Sequence, residues 1–294
     1  MKNLFLFLFL LVVFTSKAQD NRVSGLNSRQ FTKYWKVESE SPDYKVTFQG
    51  DTAEIVSPKG LTLWRKEKMS GKVTIEYDAC VVVESDGDRL SDLNCFWMAS
   101  DPQYPDNLWK REKWRSGIFL NCYSLQLYYL GYGGNHNSTT RFRRYDGDES
   151  GITNPKARPA ILKEYTDAGH LLKPNHWYHI KITNENNRVS YYIDGERLVD
   201  FRDAEPLREG WFGFRTTLSR TRITNFSYEC SSQEATAVPL QWIGETPRQD
   251  KAVSFGVPFD KGEVFPETSY GYLQRVVRIF LLIPGLWLIG RMVL

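Results

Sequence analysis

The sequence predicts an all-β protein, built as an antiparallel sandwich or barrel of two sheets. From residue 34 to residue 229, short alternating or β-branched runs recur, and turn residues separate them. No convincing amphipathic helix lies between these runs. Aromatic residues make up 14% of the chain, with nine Trp and sixteen Tyr, a composition that favours β-sheets and surfaces that stack flat ligands.

The individual strands are predicted from period-two alternation and from the turn residues at their ends. Pro58 and Gly60 predict a turn between two of the runs, and Asp194-Gly195 predicts a hairpin turn. A short helical turn is predicted over Asp167–Leu172. In chain order the runs are Trp35–Glu38, Tyr44–Phe48, Ala53–Val56, Leu61–Trp64, Val73–Val83, Asn94–Met98, Gly117–Leu120, Leu125–Leu130, Tyr178–Thr183, Val189–Ile193, Leu198–Phe201, Trp211–Arg215 and Ile223–Tyr228.

The N-terminal residues 1–18 have the features of a signal peptide. Lys2 gives a basic start, residues 4–14 are an unbroken apolar run, and residues 16–18 place small side chains where a signal peptidase reads. The apolar run is too short for a permanent transmembrane helix. We therefore expect an exported protein, in the periplasm, at the cell surface or outside the cell, that begins at Gln19.

The rest of the chain divides into three parts by composition. Residues 19–232 contain the predicted sandwich, and we expect residues 233–272 to be a linker and the truncated start of a second β domain. Residues 273–294 are apolar but interrupted by arginines, which makes them a poor membrane anchor. We interpret this tail as a frameshift product, and the alternative is a genuine hydrophobic segment.

Export permits disulfides, and the chain has four cysteines, Cys80, Cys95, Cys122 and Cys230. Four cysteines allow three pairings, among which the sequence does not choose. The alternative is that they are buried thiols that behave as small apolar side chains.

The last predicted strands follow a recognisable order. A Trp-Tyr strand begins at Trp177, a Tyr-x-x-Asp-Gly hairpin follows over residues 191–195, and Gly210–Arg215 precedes a closing strand that ends near Tyr228. This order closely resembles the end of the concanavalin/laminin-G-like jelly rolls. The resemblance implies an antiparallel two-sheet jelly-roll sandwich over roughly residues 30–230. Such sandwiches include lectins, binding modules, glycosidases and lyases, so the fold alone assigns no reaction.

The segment 128–145 has the highest density of residues suited to ligand binding. Its glycines let the backbone approach a ligand, and its arginines are forks for carboxylates. Arg141 and Arg143 share one face of a strand. The alternative is a glycine-rich hairpin with a solvated basic edge. Together with residues outside the segment, the predicted substrate-binding set is Asn94, Trp97, Tyr129, Asn135, Asn137, Arg141, Arg143 and Arg215.

A second cluster lies at residues 86–98. Asp88 and Asp92 are candidate ligands for a structural Ca²⁺, although Asp-rich bends also occur for turn reasons alone. Asn94 and Trp97 are predicted to face a ligand groove, and a core position for Trp97 is the alternative. Residues 101–114, rich in Trp and Arg, are predicted to form a lid over this groove.

No familiar catalytic motif is present, which leaves β-elimination on uronic acids as the enzymatic option. That reaction needs a base beside the C5 proton and positive charge near the carboxylate. His136, Tyr129 and Tyr145 are the candidate catalytic residues, and Arg141 and Arg143 are the candidate carboxylate partners. A net charge of +3 does not indicate nucleic-acid binding.

Residues 63–228 also resemble the exported sandwich domain of unknown function that accompanies plant-polysaccharide-degrading enzymes in bacteria. The stretches that carry the resemblance are Ser91–Ala99, Tyr128–Tyr145 and Gly210–Arg215, while residues 238–262 resemble the first strands of the exo-rhamnogalacturonan lyases. The resemblance implies a protein that recognises acidic plant polysaccharide of the rhamnogalacturonan type, and cleavage by β-elimination stays open. We also expect the protein to be a monomer. A non-catalytic binding or structural module is the alternative.

Overall fold

The computed structural model of the protein describes residues 23–231. The predictions for the signal peptide, the second domain and the C-terminal tail therefore lie outside the described residues. The described residues form strands β1 (Val23–Ser24), β2 (Trp35–Ser39), β3 (Lys45–Gln49), β4 (Thr52–Arg65), β5 (Met69–Ser70), β6 (Lys72–Val81), β7 (Leu93–Ser100), β8 (Gln126–Gly133), β9 (Thr139–Asp146), β10 (Lys163–Tyr165), β11 (Tyr178–Glu185), β12 (Arg188–Ile193), β13 (Glu196–Arg202) and β14 (Glu209–Ser231). Single helical turns occupy Phe31–Tyr34, Leu108–Arg111, Glu112–Arg115, Leu120–Ser124, Gly134–Asn137, Ser150–Thr153, Pro155–Ala157 and Ala168–His170.

The predicted all-β antiparallel sandwich is confirmed. In sheet I the strand order is β10-β9-β8-β7-β14-β4-β2, and in sheet II it is β13-β12-β11-β6-β14-β4-β3. All of these pairs are antiparallel. The short strands β1 and β5 pair with the two ends of β14.

Strands β4 and β14 are shared because each bends from one sheet into the other. Their ladder shifts register where Thr217 pairs with Gly60 and Ser219 pairs with Ser57. Leu218, between the two halves of β14, has a left-handed φ of 50°. Pro58 lies opposite this irregularity, where its missing N–H costs no ladder hydrogen bond. The turn predicted at Pro58–Gly60 is therefore a bend inside one long strand.

The main core lies between the two sheets and is rich in aromatic rings. Alternate residues of the strands point inward, as in β6, where Val73, Ile75 and Tyr77 are buried. Rings from the two sheets meet across the core: the centroids of Trp97 and Tyr191 lie 6.0 Å apart. This contact is consistent with two sheets packed face to face.

A second, smaller core lies on the outer face of sheet I, beneath residues 101–125, which we call the cover. Its buried side chains are Trp64, Phe96, Ala99, Leu108, Cys122, Tyr123, Leu125, Leu127, Tyr129, Tyr145 and Trp211. Two arginines hold the cover in place. Arg111 makes two hydrogen bonds to Asp101, of 2.7 and 2.8 Å, and a further ion pair with Glu149. Arg115 is fully buried and bonds Glu38 at 3.0 Å and the Leu108 carbonyl at 2.7 Å.

The four cysteines are free thiols in this structure, which agrees with the alternative prediction of thiols without a disulfide. Burial raises the pKa of Cys95 and of Cys122 to about 12, which keeps both protonated and unreactive. Within residues 23–231, none of the helices has the length and apolar character needed to cross a bilayer.

Candidate functional site

A row of polar residues crosses the outer face of sheet I beside the cover. Arg141 pairs with Glu164 on one side and with Gly131 on the other. Gly131 in turn pairs with Asn94 on β7, and Asn94 pairs with Arg215 on β14. Since directly paired residues share a face, these side chains point to the same side of the sheet. We call Arg141, Gly131, Asn94 and Arg215 the polar row.

Arg215 lies at the end of the polar row where the cover begins. Its guanidinium donates to the carbonyl of Gly117 in the cover and lies 4.0 Å from Glu40. A Cβ at Gly117 would come within 2.8 Å of the Glu38 carbonyl oxygen, and its φ is +71°, so only glycine lets the cover approach this closely. The ring of Phe119 lies over the guanidinium, with its centroid 5.5 Å from Arg215 Cζ.

Asn94 is the least satisfied member of the polar row. Its side-chain N–H donates to Asp92 at 3.2 Å, but its carbonyl oxygen is buried and has no hydrogen-bond partner. Asp92 itself is held by Arg89 at 2.7 Å and by the Ser91 hydroxyl at 2.9 Å. A buried acceptor without a donor costs about 1–3 kcal/mol, so a donor from a bound molecule would remove this penalty.

Tyr129 lies beside the polar row, with its ring tilted against Phe119 at 5.5 Å. Its phenol extends over Gly131, where an added Cβ would be 2.3 Å from the hydroxyl oxygen. Burial raises the pKa of Tyr129, and the charge of Asp92 raises it further. The phenol therefore stays protonated at neutral pH and can donate a hydrogen bond.

Arg141 and Arg143 lie on the same face of β9, as predicted. Arg141 is one-third exposed and pairs with Glu164 at 2.6 Å. Arg143 is half-buried and donates to the carbonyl of Pro159. Each guanidinium keeps further N–H groups beyond these contacts, since an arginine has five.

Two predicted site residues, Trp97 and Tyr145, have no exposed surface, whereas Asn94, Tyr129 and Arg215 keep 7%, 7% and 3%. Trp97 is fully buried between the sheets, where its ring stacks 6.0 Å from Phe142, so the core alternative holds. Tyr145 is also fully buried, in the cluster under the cover, and no substrate can reach its phenol there.

The Asn135-His136-Asn137 triplet lies at the tip of the β8–β9 hairpin, not in the polar row. All three residues have positive φ, and His136 is exposed. Asn137 has a structural role, since its amide both accepts from Leu172 N–H at 2.8 Å and donates to the Leu172 carbonyl at 2.9 Å. The structure does not bring His136 together with Tyr145 as a catalytic group.

The candidate calcium ligands do not fit a cation. Asp88 accepts hydrogen bonds from the N–H groups of Glu84 and Ser85, at 2.8 and 2.9 Å, which is the turn role that the sequence left open. Asp92 is paired with the Arg89 guanidinium, whose charge would repel a metal ion. Within the described part of the chain, no group of three or more His, Cys, Asp or Glu could hold a metal.

Three residues beside the polar row could not be identified from the sequence. Glu164 lies on the three-residue strand β10, which is too short to produce an alternation signal. Phe119 lies in a run predicted as strand, but it belongs to the cover, just before the helical turn Leu120–Ser124. Glu40 directly follows β2, and no motif or alternation in the sequence marks it as a site residue.

His170 forms a separate titratable cluster at one end of the sandwich. Its Nδ1 lies 2.8 Å from Asp167 and its Nε2 lies 3.2 Å from Glu196, while its ring stacks on Tyr165 at 4.1 Å. Partial burial lowers the pKa of His170, but the hydrogen bonds to both carboxylates outweigh it and raise the pKa above its usual value.

A pH-dependent contribution to stability is therefore expected from His170. Because the folded pKa is raised, the contribution is complete below the ordinary pKa of about 6.5 and disappears as pH rises through the folded value. His170→Asn should lower Tm relative to wild type at about pH 6 and leave it unchanged at about pH 9. An equal loss of Tm at both pH values would show that packing on Tyr165, not charge, is what His170 supplies.

The two packed antiparallel sheets define a β-sandwich. A crystal structure described as a protein of unknown function with galectin-like fold from Bacillus subtilis is similar, with a TM-score of 0.55 and 15% identity over 69% of this chain and 92% of that one. Residues 55–226, more than half of the chain, match the family described as Domain of unknown function (DUF6250). The chain belongs to this family. The predicted likeness to a sandwich domain of unknown function is thus confirmed.

Other comparisons concern the linker region and more distant folds. Residues 236–275 match the PcRGLX-like N-terminal RIFT barrel domain, as the resemblance to exo-rhamnogalacturonan lyases implied. The carbohydrate binding module CBM66 from Bacillus subtilis is similar with a TM-score of 0.45 and 16% identity, over 66% of this chain and 94% of that one. The exoplasmic/lumenal domain of VIP36 has a TM-score of 0.49 and 9% identity, over 74% and 91%. Among curated proteins, none matches the chain.

Proposed function

We propose that this protein is exported and that it binds, as a monomer, acidic plant polysaccharide of the rhamnogalacturonan type along the polar row. The observation that carries the proposal is the unpartnered buried oxygen of Asn94, set between Gly131 and Arg215. A sugar hydroxyl is a donor that could satisfy this oxygen. The match of residues 236–275 to a rhamnogalacturonan lyase-like barrel supports the choice of polysaccharide.

The charge of the site supports a carboxylated sugar. Arg141 and Arg143 are the partly exposed arginines of this face of sheet I, and guanidinium forks bind carboxylates with two parallel hydrogen bonds, while Arg215 is buried at the end of the polar row. From Arg141 to Arg215 the polar row crosses three strand spacings, about 14 Å, which is longer than one sugar ring. The Tyr129 phenol and the Phe119 ring add a donor and an apolar surface.

Binding is favoured over cleavage by the state of the candidate base. β-Elimination needs a group that accepts the C5 proton, and burial keeps Tyr129 protonated. The other two candidates, His136 and Tyr145, are at the hairpin tip and in the covered cluster. The site therefore has groups that would bind a uronate, and none of these three candidate bases is placed to accept its C5 proton.

Arg141→Ala and Arg143→Ala should each weaken binding of a rhamnogalacturonan oligosaccharide by about 1.5–3 kcal/mol, because each removes a charge-assisted bond to a carboxylate. The measurement is titration calorimetry on the full chain, with Tm recorded for each variant. Arg29→Ala, which removes an exposed arginine before the first helical turn, is the control and should bind as wild type.

Unchanged affinity in both variants, with unchanged Tm, would reject the polar row as the binding site. The same samples also test cleavage, since a lyase would form unsaturated products that absorb in the near ultraviolet. Growth of that absorbance with wild type, and its loss in the Tyr129→Phe variant, would replace the binding proposal by the enzymatic alternative.

A further inference from the structure

A basic groove of about 460 Å³ lies on the outer face of sheet II, on the opposite side of the sandwich from the polar row. The groove crosses the ends of β6, β11, β12 and β13. Residues of several chemical types line it, among them Lys72, Arg188, Ser190, Tyr192, Arg197 and Arg202.

The charges around this groove do not balance. Asp200 accepts two hydrogen bonds of 2.6 Å from Arg188 and lies 3.2 Å from Arg197. Arg202 is the strand partner of Arg188, and the charge of this third guanidinium also acts on the Asp200 carboxylate. Three arginines around one aspartate leave an excess of positive charge that a second anion would relieve.

The fourth cation of the groove is already paired. Lys72 contacts Glu185 at 2.8 Å, which leaves the excess charge on the β12–β13 side. There Arg197 pairs across the ladder with Tyr192, and its side chain is nearly half exposed. The positive charge therefore lies on the open side of the groove, where a ligand has access.

The floor of the groove suits a sugar better than a bare ion. Tyr192 is half-buried and offers an aromatic surface between Arg197 and Lys181, its partners on the two neighbouring strands. Ser190, almost fully buried, adds a hydroxyl two residues along β12. Aromatic and hydroxyl groups next to guanidinium forks are a combination that contacts both the ring and the carboxylate of a uronic acid.

We infer that this groove is a second binding site for a carboxylated oligosaccharide, in which Arg197 and Arg202 hold a uronate carboxylate and Tyr192 contacts its ring. The inference shares a ligand class with the proposed function but none of its residues. A chain that crossed both faces would be held at two points, which raises the effective affinity for a long polymer.

The test is titration of the full chain with a short oligogalacturonate, with a neutral galacto-oligosaccharide and inorganic sulfate as separate titrants. Wild type should bind the oligogalacturonate at two sites. The double variant Arg197→Gln/Arg202→Gln should lose one of them, with affinity at that site reduced about a hundredfold or more. Arg141→Ala should weaken the other site only, and Arg29→Gln should leave both unchanged.

Three results would overturn the inference, and none of them depends on the polar row. The first is unchanged stoichiometry and affinity in the Arg197→Gln/Arg202→Gln variant. The second is that sulfate competes as strongly as the oligogalacturonate at this site, because the groove would then hold a simple anion. The third is that the neutral oligosaccharide binds equally well, which would contradict the carboxylate role of the arginines.

Discussion

Replacing Arg115 by alanine should destabilise the protein by about 3–5 kcal/mol, the usual cost of removing one partner of a buried ion pair. Arg115 has no exposed side-chain surface, and Glu38 has only 5%. Burial already raises the pKa of Glu38, and Arg115 is the main group that opposes this rise. Without Arg115 the carboxylate would be buried unpaired, and the cover would lose a fixing point.

Urea unfolding of the full chain measures this effect, and a paired replacement is its control. Arg115→Met with Glu38→Leu removes both charges, so it should recover a large part of the loss. A loss below about 1 kcal/mol for Arg115→Ala would match an exposed ion pair. That result would mean that the cover does not shield this pair from water.

Trp97→Ala should cost a further large amount, about 3–5 kcal/mol, by leaving a cavity between the sheets. The Trp97 ring packs against Tyr128, Phe142 and Tyr191, and it is fully buried. Its indole N–H has no partner, so Trp97→Phe removes an unsatisfied donor and should cost much less.

The matched control for Trp97 is Trp114→Ala in the cover. Trp114 is 44% exposed, and a substitution there should change stability by no more than about 0.5 kcal/mol. The folded fraction of Trp97→Ala should bind oligosaccharide as wild type does. A selective loss of affinity with little loss of stability would instead restore the predicted ligand-binding role of Trp97.

The fold could be predicted from the sequence because alternation is a local signal. The predicted strand over Val73–Val83 and the observed β6 differ by only a few residues. The prediction failed where a strand changes sheets: Trp211–Arg215 and Ile223–Tyr228 were separate runs, yet both belong to β14. At such a bend the alternation between inward-facing and outward-facing residues is interrupted. The sequence of one continuous strand then shows two separate alternating runs.

The candidate site was only partly predictable, because it depends on which strands are neighbours. Alternation places Asn94, Arg141 and Arg215 on one face of their own strands, but it does not say that these strands lie close together. The pairing order of β7, β8, β9 and β14 supplies that information. Residues 101–114 of the cover were predicted as a lid, but the fixed position of the cover depends on Glu38 and Glu149, which are distant in sequence.

The central claim is that the polar row binds the carboxylate of an acidic glycan. A thermodynamic cycle that combines a change in the ligand with substitutions in the protein tests this claim most directly. The same rhamnogalacturonan oligosaccharide is titrated with its uronates free and methyl-esterified, into a chain whose groove carries Arg197→Gln and Arg202→Gln. Esterification should weaken binding about tenfold or more, and it should have little further effect once Arg141→Ala and Arg143→Ala are added. An equal effect of esterification with and without these two arginines would contradict the claim.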